Sequence, residues 1–142
     1  MRTVLIVDDN DSVRAALERA LRQAGYVPMC AQDASEAAAA YRKYRIDACL
    51  IDYDLPDING AQLMASLQRM RPGVPMSLIT GNPSEDAIYE ACRAGASAYF
   101  KKPLDLDRLK RWLTKASAPR SSVRRLRFIL RWRWKRRIVR KK

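Results

Sequence analysis

Apolar positions alternate between two patterns along the chain. Thr3–Val7 is a continuous apolar, β-branched run, which predicts a strand buried on both faces. Val13, Ala16, Leu17, Ala20, Leu21 and Ala24 then recur at helical spacing, with Asp11 as the expected N-cap and Gly25 just past the end. Residues 26–30 read as a second strand. Pro28 has no N–H to donate, so this strand belongs at a sheet edge. Asp33-Ala34-Ser35-Glu36 resembles a capping box and opens an alanine-rich helix to about Tyr44. Residues 47–52 form a third strand. Gly60–Met70 is helical, with Leu63, Met64, Leu67 and Met70 on one face. Residues 75–80 form a fourth strand. Ser84 caps a helix to Ala94, with Glu85 and Asp86 in the first turn, where the helix dipole favours acids. Residues 97–101 form a fifth strand. Asp105 caps a last helix that turns Leu106, Leu109, Trp112, Leu113 and Ala116 inward.

Five strands alternating with five helices predict a parallel sheet covered on both faces. Such sheets bind ligands beyond the C-terminal ends of their strands. Those ends read Asp8-Asp9, Asp52, Thr80-Gly81 and Lys101-Lys102-Pro103. If the first, third and fourth strands are neighbours, Asp8, Asp9 and Asp52 converge. Three like charges in one pocket require a proton or a cation among them. Oxygen-only donors suit a hard cation such as Mg2+, which keeps waters on its remaining sites. Lys102 adds a fixed positive charge, Thr80 a hydroxyl, and Gly81 leaves room. A carboxylate, a metal, an ammonium and a hydroxyl around one space suit a phosphoryl group, whose transfer needs positioning and charge neutralisation.

Charge divides the chain in two. Its 142 residues carry a net charge of +13, but residues 1–116 hold 16 Lys/Arg against 15 Asp/Glu. Residues 117–142 hold 12 Lys/Arg and no acid. A nearly neutral domain, 1–116, therefore leads through Ser117-Ala118-Pro119-Arg120-Ser121-Ser122 into a basic tail, 117–142. There is no histidine, which excludes Ser-His-Asp or Cys-His chemistry from this chain alone. Cys30, Cys49 and Cys92 are widely spaced and odd in number, which argues against a disulfide framework or a zinc site. They are expected to be small, buried, reduced hydrophobes. No apolar run approaches the ~18–20 residues of a membrane span, and the N-terminus lacks signal-peptide features.

The order and spacing of Asp8-Asp9, Asp52 with Leu55-Pro56 and Gly60, Thr80-Gly81, Tyr99 and Lys102-Pro103 resemble the receiver domain of two-component response regulators. The resemblance covers about residues 2–116 and is closest to single-domain, chemotaxis-type receivers. It implies a flavodoxin-like (βα)5 doubly wound sheet of order 2-1-3-4-5, which independently puts the Pro28 strand at the edge. It implies that Asp52 is the phosphoacceptor, loaded from the phosphohistidine of a histidine kinase or histidine phosphotransfer protein. Asp9 and Asp52 would bind Mg2+ directly, Asp8 through water, and Asp54 through its backbone carbonyl. Lys102 would pair with phosphoryl oxygens, and the Lys102-Pro103 bond would be cis. Thr80 and Tyr99 would form a two-state switch read by an output partner on the 84–116 face. Asp54 and Asn82 occupy positions that tune phosphoryl lifetime in the family. The implied protein is a cytoplasmic phosphoacceptor rather than a turnover enzyme.

Two other readings fit less of the chain. Asp52-Tyr53-Asp54 also resembles the nucleophile motif of haloacid-dehalogenase-type phosphatases. Pro56, however, stands where that family has Thr or Val, and Asp8-Asp9 has no role there. A flavin-binding reading lacks a phosphate loop after the first strand. The tail reads RRLRFILRWRWKRRIVRKK from Arg124. Its apolar residues scatter around a helical wheel, but on a strand Phe128, Leu130, Trp132 and Trp134 share a face opposite Arg131, Arg133 and Lys135. A disordered or partly helical solvated extension is the plainest reading. Residues 120–142 also fit a polyanion, either nucleic acid or anionic lipid. An acidic partner, the chain's own acidic pocket and an altered reading frame stay open beside these.

Overall fold

In the computed structural model, residues 2–117 are described. The elements run β1 (Thr3–Val7), α1 (Asp11–Gln23), β2 (Val27–Ala31), α2 (Ala34–Lys43), β3 (Ala48–Asp52), α3 (Gly60–Met70), β4 (Met76–Thr80), α4 (Glu85–Ala94), β5 (Ala98–Lys101) and α5 (Leu106–Ala116). All pairings are parallel and the sheet order is β2-β1-β3-β4-β5. This is the flavodoxin-like order. Val4 faces Pro28 on one side and Ala48 on the other, and Asp52 faces Ile79.

Strand alternation builds two cores. Leu5, Val7, Cys49, Ile51 and Leu78 point to the face covered by Tyr41 of α2, Leu63, Met64 and Leu67 of α3, and Ala91 of α4. Val4, Ile6, Leu50, Ile79 and Phe100 point to the face covered by Leu17 and Leu21 of α1 and Leu109 and Leu113 of α5. Burying a side chain of this size stabilises the fold by ~1.5–3 kcal/mol, so the two clusters fix the sheet and hence the strand ends. Pro28 lies on the edge strand as expected. Val27 N–H donates to Arg2 O, so the next nitrogen points away from β1, and its missing hydrogen breaks no ladder bond.

Helix ends depart from the sequence reading in instructive places. Asn10, not Asp11, caps α1: its backbone is extended and its side chain accepts from Val13 N–H. Asp11 already lies in the first turn, where it pairs with Arg14. Asp33 caps α2 by accepting from Glu36 N–H, but the Glu36 carboxylate accepts from Gln32 N–H, one residue before the return arm of a capping box. A complete box forms instead at Asn59 and Gln62. Met70 and Leu106 are exposed rather than inward, each at a helix end where the sheet no longer covers it. Ala16 and Ala24 are also exposed. Trp112 is partly buried, edge-on to Phe100. Cys49 and Cys92 are buried, whereas Cys30 on the edge strand is exposed; all three are thiols. Among the described residues no helix is long and apolar enough to cross a membrane. The readings made for 118–142 lie outside the described residues.

Candidate functional site

The chain leaves the sheet at the C-terminal ends of four neighbouring strands, β1, β3, β4 and β5. Asp8 directly follows β1, and its N–H extends the ladder to Ala31 O. Its carboxylate accepts from Asn10 N–H at 2.9 Å, and its carbonyl accepts from the Arg14 guanidinium at 2.5 Å. The peptide is thus held from both sides, and Asp8 is wholly buried. Asp9, beside it, is exposed. Asp52 ends β3 and is 3% exposed. Its Oδ1 accepts from Asp54 N–H at 3.3 Å. The backbone turns sharply after it, because Gly60 N–H returns to Tyr53 O. A Cβ at position 60 would lie 2.3 Å from Asp52 O, so only glycine fits there.

Carboxylate oxygens of Asp8, Asp9 and Asp52, one from each, lie within 4.8 Å of one another. Lys102 reaches in from beyond β5, with Nζ 2.8 Å from Asp8 Oδ2 and 3.4 Å from Asp52 Oδ2. The ammonium is the counter-charge within reach of buried Asp8 Oδ2. Three carboxylates this close, an oxygen-only donor set, fit a hard cation. Burial and the neighbouring Asp8 charge push Asp52 up to about 6, against the pull of Lys102 and the Asp54 N–H. Burial pulls Lys102 down, but Asp8 and Asp52 outweigh it and hold the ammonium above its ordinary range. One lysine therefore only part-neutralises the cluster.

Thr80 ends β4 beside Asp52 and is buried, its hydroxyl accepting from Asn82 N–H at 3.2 Å. Lys102 N–H donates to Thr80 O, which ties the lysine to the same strand end. The Lys102-Pro103 bond is cis. Gly81 has open space where a side chain would stand. Tyr99 is half-buried, opposite Leu78 in the register, and packs on the α2/α3/α4 face. Asp54 is exposed at the rim. Asp8, Asp9, Asp52, Asp54, Thr80 and Lys102 therefore lie at or next to the C-terminal ends of the strands, whereas Tyr99 lies within β5, opposite the middle of β4.

Three supporting residues carry no such signal. Asp57 bridges the loop after β3 to α2, accepting from Ala34 and Ser35 N–H at 3.1 Å each. The partners lie 23 and 22 residues away, beyond any local pattern. Arg14 reads as an ordinary helix-surface charge, yet it binds the Asp8 carbonyl. Asn10 is overshadowed by its acidic neighbours. An Asn directly before the first helical residue is the available clue.

Parallel strands in this order, with an acidic cluster, a lysine and a hydroxyl at their ends, define a signalling receiver rather than a nucleotide-binding variant of the same architecture. Residues 4–114 match the response regulator receiver domain, and the chain belongs to that family of two-component systems. It is 38% identical over 109 residues to the response regulator receiver protein Anae109_2439 of Anaeromyxobacter sp. (strain Fw109-5), covering 77% of this chain and 46% of that protein. It is 34% identical over 115 residues to the transcriptional regulatory protein ZraR of Salmonella typhimurium, covering 81% of this chain and 26% of that protein. The chain thus spans less than half the length of these curated relatives. Among solved structures it resembles the CheY-like receiver domain protein of Methanospirillum hungatei, with a TM-score of 0.80 and 28% identity over 82% of this chain and 94% of that one. It also resembles the Vibrio cholerae chemotaxis protein CheY4, with a TM-score of 0.77 and 28% identity over 82% of this chain and 98% of that one.

Proposed function

We propose that this receiver takes a phosphoryl group on Asp52 from a phosphohistidine donor, a histidine kinase or histidine phosphotransfer protein. The observation that carries the reading is the pairing of nearly buried Asp52 with Lys102 Nζ at 3.4 Å, inside a three-carboxylate cluster. An Asp52 carboxylate oxygen attacks phosphorus in line. The O–P bond forms as the P–N bond breaks, and imidazole leaves with the bonding pair. Lys102 meets the charge on the phosphoryl oxygens, and the Thr80 hydroxyl offers them a donor. Asp9 and Asp52 would hold Mg2+ directly, with Asp8 through water and the Asp54 carbonyl completing the protein donors. When bound, Mg2+ supplies charge neutralisation between the entering phosphoryl and the acids.

Tyr99 and Thr80 lie on adjacent strands, β5 and β4, under the 84–116 surface. That surface is the proposed contact for an output partner, with signalling by protein–protein contact. The domain is read as 1–116 with the basic segment 117–142 appended, as a cytoplasmic phosphoacceptor without turnover of its own. The phosphatase reading would make Asp54 an acid/base, but it leaves the Asp8–Lys102 pair unexplained. The direct test incubates the protein with phosphoramidate and Mg2+ and reads the added phosphoryl by intact mass. Wild type gains it, while Asp52→Asn does not. Uptake by Asp52→Asn at the wild-type rate would overturn the assignment.

A further inference from the structure

We propose that the end of the molecule opposite the acidic site, together with the basic segment that leaves from it, docks on an anionic lipid surface. This inference does not rest on Asp52 being a phosphoacceptor. In a (βα)5 fold every helix begins at one end of the sheet and finishes at the other. Here the first turns carry Asp11, Glu36, Glu85, Asp86 and Asp107. The last turns carry Arg22, Arg42, Lys43, Arg69, Arg93 and Lys115. All six of these basic residues are exposed. Acids near that end are few: Glu18 pairs with Arg22, and Asp47 lies 3.7 Å from Arg45. The domain is close to neutral in sum but strongly polar end to end.

The basic end is also apolar at its surface. Tyr44 is 45% exposed and Met70 40%, two of the large exposed hydrophobic residues of the described region. Arg71 ties them into one patch, following Met70 in sequence and donating to Tyr44 O at 3.3 Å. The chain leaves at this same end, where Arg2 donates to the Ser117 hydroxyl at 3.2 Å. Beyond Ser117 the chain carries 12 Lys/Arg without an acid, interleaved with Phe128, Ile129, Leu130, Trp132, Trp134 and Ile138. Like charges are thus gathered at one end and continued by the tail, not balanced by it.

The apolar component decides between polyanions. A nucleic-acid backbone would take the charges but leave the aliphatic residues and Met70 in water. An anionic bilayer takes both, with basic side chains at the phosphates and Trp, Tyr and Leu in the interface. The acidic end is repelled by the same surface. The domain therefore docks with its strand C-termini facing away and accessible to a protein partner.

The test uses full-length protein with phosphatidylcholine vesicles, plain or containing roughly 30% phosphatidylserine, at ~0.15 M salt. Cosedimentation and tryptophan fluorescence read binding. Binding to the anionic vesicles alone, with a blue-shifted emission, is expected. Full-length Arg42→Glu/Lys43→Glu/Arg69→Glu should bind those vesicles at least about tenfold more weakly with an unchanged melting temperature. If that variant fails to fold, Arg42→Gln/Arg69→Gln should still weaken binding measurably. Full-length Trp132→Ser/Trp134→Ser should lose the blue shift. Absence of vesicle binding overturns the proposal, as does vesicle binding indifferent to the domain charges. Comparable or tighter binding to duplex DNA at the same salt overturns the choice of lipid.

Discussion

Gly60 opens α3 directly against the backbone carbonyl of Asp52, so close that a Cβ would stand 2.3 Å from Asp52 O and 2.9 Å from Tyr53 Cα. Neither obstacle is a flexible side-chain end. Gly60→Ala must displace either the start of α3 or the end of β3, and it should cost about 1–3 kcal/mol or more. The displacement falls on the residue that carries the site, so Mg2+ binding should weaken with stability. Urea unfolding and a Mg2+ titration check both. A wild-type midpoint would mean that the helix entrance yields more easily than its contacts indicate.

Asp52 links the site to stability through pH. Burial and the Asp8 charge raise its carboxyl from 3.8 to about 6. An acid whose folded value lies above its unfolded one binds more protons when folded. Its contribution to stability therefore falls as pH rises through that window, and the penalty is complete above about 6. In metal-free buffer Asp52→Asn should be more stable than wild type at pH 7, by on the order of 1–3 kcal/mol. The difference should shrink toward zero near pH 4. Denaturation series across pH with a chelator present would show this convergence. A gap independent of pH would assign the effect to packing and not to charge.

Lys102 is the counter-charge for a wholly buried Asp8, at 2.8 Å. Replacing it with methionine keeps the length of the stem but leaves the carboxylate without its cation. Lys102 is itself about a quarter exposed (24%), so water softens the loss. A destabilisation of about 1–3 kcal/mol is expected, below the value for a fully buried pair. Mg2+ should recover part of it, because a ligand of the folded state alone raises apparent stability. The expected melting curves show a larger Mg2+ response for Lys102→Met than for wild type. Equal responses would mean that ammonium and metal do not share the Asp8 field.

The strands and the acids at their ends were legible because they rest on short patterns, whereas the full strand order, on which the convergence of Asp8, Asp9 and Asp52 depends, came only with the resemblance to receiver domains. Apolar β-branched runs mark buried strands, Pro28 marks the edge, and the other four runs stop at an Asp, Thr or Lys. The supports were illegible because they are long-range. Asp57 grips α2 from a loop more than 20 residues away. Gly60 is marked by its motif, but its physical reason, a clash it avoids, exists only once α3 has folded back on β3. Helical periodicity placed Met70 and Leu106 inward because a wheel has no ends, whereas the sheet beneath does. Cys30 alternates outward on an edge strand, which composition does not reveal. At the start of α1 the sequence reading puts the cap on Asp11, and the backbone puts it on Asn10.

That last choice has a clean test. Asn10 has the extended backbone of a cap and accepts from Val13 N–H at 3.1 Å, satisfying one of the first-turn donors. Asp11 contributes through the helix dipole and an exposed pair with Arg14. Asn10→Ala should therefore cost ~1 kcal/mol, within the ~0.5–2 kcal/mol range of lost caps. Asp11→Ala should cost only a few tenths, roughly 0.2–0.5 kcal/mol, and its effect should fade in high salt. Asn10 N–H also donates to Asp8 Oδ1 at 2.9 Å, a backbone bond that alanine and glycine both keep, so each loses only the cap side chain. Asn10→Gly should cost less than Asn10→Ala, since glycine at a cap exposes the free N–H groups to water. Equilibrium unfolding of the three variants ranks them. A cost for Asp11→Ala as large as that for Asn10→Ala would return the cap to Asp11.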